Sequence, residues 1–188
     1  TEDCAGELSL YPKDHLYRLI RFGTRNWLDM IAVGEFTSVL FFKNHGPNSG
    51  GTICHPHMQI VGLRHIDYTA NIPPESLAGS VISSNGGVTL SIADKPLIGF
   101  VELNVRLTDL GQIACMADYL QICAHYLLNH FNRYCNSYNI FFYNINGQIT
   151  AKVMPRFVTS PIFVGYAIPQ LSTRIPAVVA DLKKIYGL

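Results

Sequence analysis

One order of elements occurs twice along this chain: a long helix, a strand, a breaker-rich turn and a second strand. In the first copy, Leu16, Leu19, Ile20, Trp27, Met30 and Ile31 recur at a helical period within residues 13 to 33. Arg18, Arg21 and Arg25 are left facing outward as a solvated face, and Gly34 ends the helix. Residues 36 to 43 are β-branched and aromatic, which predicts a buried strand. A loop over 44 to 51 follows, then a strand over 57 to 63. The second copy spans 109 to 154. Its helix, capped by Thr108 or Asp109, is expected to run to about Tyr134. Its apolar stripe is Leu110, Ile113, Ala117, Leu120, Ala124, Leu127 and Phe131. Strands at 139 to 145 and 148 to 154 are joined through Asn146-Gly147, a strong hairpin signal.

Two such copies, each laying a helix across an antiparallel sheet, predict an α+β fold. Residues 64 to 96 are less regular, with turns at Pro73-Pro74 and Asn85-Gly86-Gly87 and a short strand at 88 to 92. Residues 97 to 105 predict one strand leading into the second copy, and 174 to 186 a closing helix. The first copy lacks a preceding strand, and the chain opens at Thr1 without Met. An N-terminal segment is therefore expected to be missing. The organisation expected is a first repeat over 1-66, incomplete at its N-terminus, and a second, degenerate repeat over 67-188.

Composition excludes several classes of function. Apolar residues make up 48% and charged residues 14%, which suits a packed core and not disorder. A net charge of +1 supplies no bulk attraction to nucleic acid or to membranes. No apolar run is long enough to span a bilayer. The five cysteines show no disulfide framework, so free thiols and a cytoplasmic location are expected.

Chemistry concentrates in His55-Pro56-His57-Met58-Gln59, which follows a loop of three glycines and Ser49. In an extended segment, residues i and i+2 share a face, so His55, His57 and Gln59 line up, with Pro56 holding the backbone extended. Glycines bring backbone N–H groups close to an anion. Imidazole, unprotonated near neutral pH, attacks phosphorus and forms a covalent phosphoramidate. The combination predicts a phosphate-handling site with His57 as nucleophile. Gln59 and the N–H groups of the loop would stabilise charge on the non-bridging oxygens. Arg156, after the second hairpin, is a further candidate phosphate contact. Cys54, by alternation, points away from the histidines into the core. His125 and His130, five apart on a helix, make a poor ligand pair, and they, like His15, His45 and His65, are given no special role.

The stretch Asn44-His45-Gly46 … Ser49-Gly50-Gly51-Thr52 … His55-Pro56-His57-Met58-Gln59 resembles the active site of galactose-1-phosphate uridylyltransferases, within the histidine-triad (HIT-like) superfamily. The likeness is sharp over residues 36 to 63, and the family's two-repeat fold matches the two copies. It implies a nucleotidyl-histidine on His57, a phosphate contact by Gln59, Asn44 near the nucleotide, and Thr52 in place of a phosphate-binding serine. Ser49, Gly50 and Gly51 would line the phosphate. The implied substrate is a nucleotide sugar or nucleoside polyphosphate cleaved at the α-phosphorus, with a sugar phosphate, phosphate or water as acceptor. Phosphorolysis or hydrolysis of a dinucleotide, and a non-catalytic nucleotide-binding module, are the alternatives. His55 matches a structural-zinc ligand of the family and Cys4 stands near another, the remaining donors being expected from a Cys-x-x-Cys in the missing segment. A homodimer paired through sheet edges is compatible with the resemblance. Phe163-Val164-Gly165-Tyr166 resembles a segment that touches the sugar phosphate, but Ala167 replaces the glutamate that binds hexose hydroxyls. The second copy also has no His-x-His, so one copy alone carries the chemistry and galactose is not implied.

Overall fold

The computed structural model describes residues 4, 6–53, 55–157, 159, 163, 165 and 168–188. Strands β1 (Ser38–His45), β2 (Gln59–Leu63), β3 (Gly79–Asn85), β4 (Val88–Ala93), β6 (Leu103–Leu107), β7 (Tyr138–Ile145) and β8 (Gln148–Pro155) form one antiparallel sheet in the order β2-β1-β7-β8-β6-β4-β3. Between them, β5 (Gly99–Phe100) pairs in parallel with β9 (Gln170–Leu171). Helix α1 (Lys13–Val33) lies over β1 and β2, and α2 (Ile113–Tyr126) over β4, β6 and β8. The two helices touch each other, and α3 (Ile175–Tyr186) packs beside β3. The fold is α+β, as expected.

Helix α1 buries Leu16, Ile20 and Trp27 and leaves its three arginines exposed, and Gly34 stops it in the left-handed conformation at φ 72°. Alternation along β1 puts Val39, Phe41 and Lys43 on the face beneath α1. The Trp27 indole N–H donates to Val39 O at 2.8 Å, and Phe41 stacks on Phe142 of β7 with centroids 4.2 Å apart. Gly23 makes this approach possible, since a Cβ there would sit 2.5 Å from Phe41 Cζ. The β1–β7 pairing, from Phe41↔Phe142 to His45↔Tyr138, joins the two copies into one continuous sheet.

Several expectations need correction. The long second helix is α-helical only from Ile113 to Tyr126, and a π turn over Leu127–Phe131 ends it. Asp109 caps a separate 3-10 turn, Leu110–Gln112, so Leu110 is exposed and not part of the buried stripe. The strand expected over 97 to 105 is two, β5 and β6, because Phe100 turns the chain at φ 64°. Strand β3 was not expected at all. It is an edge strand rich in serine with a bulge between Val81 and Ser83, which weakens its apolar alternation. The Asn146-Gly147 hairpin and the closing helix stand where the sequence places them.

On the sheet face opposite α2, under the 3-10 turn Pro74–Leu77, an ion pair is fully enclosed. Lys152 Nζ lies 2.9 Å from a Glu102 carboxylate oxygen and donates to Ser76 O at 2.7 Å, while Leu97 and Ile98 N–H groups each donate to Glu102 at 2.8 Å. Satisfied on both sides, the pair is a structural knot that sets β8 against the β5–β6 corner.

Candidate active site

His57 precedes edge strand β2 and is half-buried. Its Nδ1 lies 2.7 Å from the carbonyl oxygen of His55, which accepts only, so Nδ1 carries the proton. Nε2 is then the unprotonated nitrogen, and the Gln59 amide nitrogen donates to it across 3.1 Å. The i, i+2 spacing therefore brings His57 and Gln59 together as expected. It also leaves Nε2 as the imidazole nitrogen that carries the lone pair.

Two cavities flank the motif. An apolar one of about 280 Å³ lies against α1 and includes Leu19, Phe22, Phe41, His57, Met58 and Ile60 in its walls. A more polar one of about 360 Å³ is lined by the loop, including Asn44, Ser49, Gly51 and Thr52. Lys43, His55 and Pro56 belong to both walls.

The loop is built on β7. Gly46 has φ 82°, and a Cβ there would lie 2.1 Å from Asn136 O, so the loop sits tightly on the segment entering β7. Ser137 Oγ accepts from Asn48 N at 3.0 Å. Ser49 Oγ donates to Gly46 O at 2.7 Å and accepts from Gly51 N at 3.3 Å, so its hydroxyl is spent on the loop's own backbone. Gly50 is open to solvent at φ 81° and Thr52 is exposed on the cavity wall.

A residue that the sequence did not single out organises this loop. Asn139, fully buried in β7, donates through Nδ2 to Asn44 Oδ1 at 2.6 Å and to Ser49 O at 2.9 Å. Its own Oδ1 accepts from Arg156 at 3.1 Å. Among the described residues Arg156 thus reaches the site through Asn139, and it lines a third, small cavity instead of the two beside His57. The signal for Asn139 was available: a carboxamide inside the run Tyr138-Asn139-Ile140-Phe141 must find partners when buried. Lys43 was missed for the same kind of reason, a charge inside Phe41-Phe42-Lys43. Burial lowers the Lys43 pKa, with Glu7 opposing. His45, stacked on Tyr138 at 4.9 Å, is also lowered by burial; Glu7 opposes and Lys43 adds to it. The Glu7 carboxylate is itself held by Ser9 N at 2.7 Å and by the Tyr138 hydroxyl.

Cys4 Sγ lies 3.3 Å from His55 Nδ1, bringing the two expected zinc ligands together. Among the described residues no three His, Cys, Asp or Glu side chains cluster to hold a metal ion. The residues present thus supply half of a tetrahedral set. Cys54, Val164, Tyr166 and Ala167, which carry the expectations about a core thiol and the sugar-phosphate segment, lie outside the described residues. Cys4, Cys115, Cys123 and Cys135 are free thiols.

Two family models match this sequence. One, described as "Domain of unknown function (DUF4931) C-terminal domain", covers residues 69–187, and the corresponding N-terminal domain covers 1–66. A crystal structure of a DUF4931 family protein from Bacillus cereus is 42% identical, covering 100% of this chain and 87% of that one, with a TM-score of 0.90. A uridylyltransferase mutant is 14% identical over 95% of this chain and 72% of its own, with a TM-score of 0.71. An ADP-glucose phosphorylase from Arabidopsis thaliana with bound ADP-glucose is 13% identical over 96% of this chain and 70% of its own, with a TM-score of 0.70. At such identities the last two show a shared fold. A di-/tripeptide transporter from Lactobacillus helveticus is 32% identical over 90 residues, 48% of this chain. The chain spans only 18% of that curated relative's length. Among the described residues no helix is long and apolar enough to cross a membrane.

Proposed function

We propose that this chain, which belongs to the DUF4931 family, transfers a nucleotidyl group by way of a covalent bond between phosphorus and His57 Nε2. The observation that carries the proposal is the fixed tautomer. With Nδ1–H donating to His55 O, the lone pair is on Nε2, where Gln59 caps it, and no base is needed to free it. The shared fold with uridylyltransferase-like structures supports a nucleotidyl-related role in general.

The reaction has two balanced steps. Nε2 attacks the α-phosphorus of a nucleotide sugar or nucleoside polyphosphate, forming an N–P bond as the P–O bond to the leaving phosphate breaks. Deprotonation of Nδ1 is not needed, because the His55 carbonyl stabilises the positive charge that develops on the ring. An acceptor oxygen then attacks phosphorus, the N–P bond breaks and Nε2 recovers its lone pair. Gln59, which caps Nε2 in the free protein, must turn its amide to a phosphoryl oxygen as attack begins. No step runs through a metal. Stoichiometric zinc in a purified preparation would mean that donors beyond the described residues complete the Cys4–His55 pair.

Incubation with α-labelled nucleotide sugar is expected to leave label on wild type and none on His57→Ala. Tight nucleotide binding with no label on either would make the protein a binding module instead. Assayed side by side, UDP-glucose against ADP-glucose assigns the base, and ADP-glucose against diadenosine tetraphosphate assigns the leaving half.

A further inference from the structure

We propose that Lys43 is the phosphate-binding residue of this site, holding the diphosphate of a two-part substrate where the apolar and polar cavities meet. The inference rests on the reading of His57 as the nucleotidyl acceptor, and it names the group that neutralises the substrate.

Lys43 stands in β1 on the face beneath α1, where alternation calls for an apolar residue. Its side chain is 3% exposed. Among the described residues its ammonium makes no hydrogen bond and no ion pair. The contrast with Lys152 is direct: that equally buried ammonium has a carboxylate at 2.9 Å and a carbonyl at 2.7 Å. The fully buried unpaired side-chain atoms among the described residues are Thr24 Oγ1 and Asn104 Oδ1, so the unpaired Lys43 ammonium opens onto the cavities it borders, where an anionic ligand completes its donors.

Its position says what the ligand is. Lys43 borders both cavities, together with His55 and Pro56. On one side, Leu19, Phe22, Met58 and Ile60 offer apolar walls suited to a planar base. On the other, Asn44, Ser49 and Thr52 offer a polar wall suited to a hydroxylated or second phosphorylated half. A molecule filling both must pass its linker beside the ammonium. A linker beside a lysine and next to a phosphorus-seeking imidazole is a diphosphate, which lysine binds as a point charge. Besides Lys43, the cavities are lined by the titratable groups of Cys4, Glu7, Tyr11, His45, His55 and His57. The Glu7 carboxylate opposes an incoming anion but is committed to Ser9 and Tyr138 and lies beyond ion-pair distance of Lys43. His45, lowered by burial, adds no competing negative charge.

Titration calorimetry tests this with three proteins, wild type, Lys43→Met and Lys43→Gln, and with uridine, UDP, adenosine and ADP as probes. For wild type, one diphosphate should bind about tenfold or more tightly than its nucleoside. Both Lys43 variants should lose that ratio while keeping the nucleoside affinity. A ratio unchanged in both Lys43 variants, or absent in wild type, overturns the proposal. Lys43→Met places an apolar chain in an apolar wall, and Lys43→Gln gives an independent answer if that variant does not fold. An intact ratio with no label ever found on His57 would sink nucleotidyl transfer and leave Lys43 as an anion-binding residue.

Discussion

In the proposed reaction a single proton on His57 decides the chemistry. The His55 carbonyl holds that proton on Nδ1, so the effect of replacing Gln59 should fall on charge stabilisation and not on the tautomer. Gln59→Leu is expected to slow formation of the His57 adduct by about a hundredfold, the cost of losing one oxyanion donor. Single-turnover labelling measures it, and an unchanged rate would remove Gln59 from the mechanism. Asn139 acts one contact further out. Asn139→Leu frees Asn44 and the loop and leaves Arg156 without its partner, with an expected loss of roughly 1–3 kcal/mol in stability. Denaturant unfolding reads that loss, and a variant as stable as wild type would show the clamp to be dispensable.

At the scale of elements, the position of α1 is set by a hole in its surface. Gly23→Ala would drive a methyl into the Phe41 ring, whose edge also lines the apolar cavity. We expect about 1–3 kcal/mol of destabilisation from this overpacking, with weaker nucleoside binding as the ring moves. Calorimetric affinity at wild-type level, despite the lost stability, would separate the helix packing from the cavity. How far the elements are legible in the sequence follows from the same physics. Helix α1, β1 and the β7–β8 hairpin are legible because apolar period and turn residues agree. Strand β3 is not, because a serine-rich edge strand buries too little to show a period. Within the site, the i, i+2 pairing of His57 with Gln59 is written locally. The clamp by Asn139 is not, since it depends on a strand pairing between residues 95 positions apart. Lys43 and Asn139 do leave one trace each, a polar residue inside an apolar run, but only the fold says what each faces.

Over the whole molecule, buried phenols tie stability to alkaline pH. Tyr126, 1% exposed, is pushed up to about 12 by burial and, secondarily, by Asp181, and Tyr138, Tyr143 and Tyr186 are raised by burial too. A raised pKa means that the folded state keeps a proton the unfolded state gives up. The stabilisation is therefore complete below the ordinary value of 10 and is lost as pH climbs from there toward 12. Denaturant midpoints measured across that interval should fall for wild type and fall less steeply for Tyr126→Phe. Parallel slopes would show that Tyr126 is not held protonated. The continuous sheet has a consequence in time as well. The hairpin β1–β2, which delivers His57, gains its only inner neighbour when β7 pairs with it. On the ribosome that neighbour is synthesised long after the histidines have emerged. Until then the motif belongs to two strands covered by α1 alone. The candidate site therefore lacks the Asn139 contacts to its loop until β7 is made, although it lies near the front of the sequence.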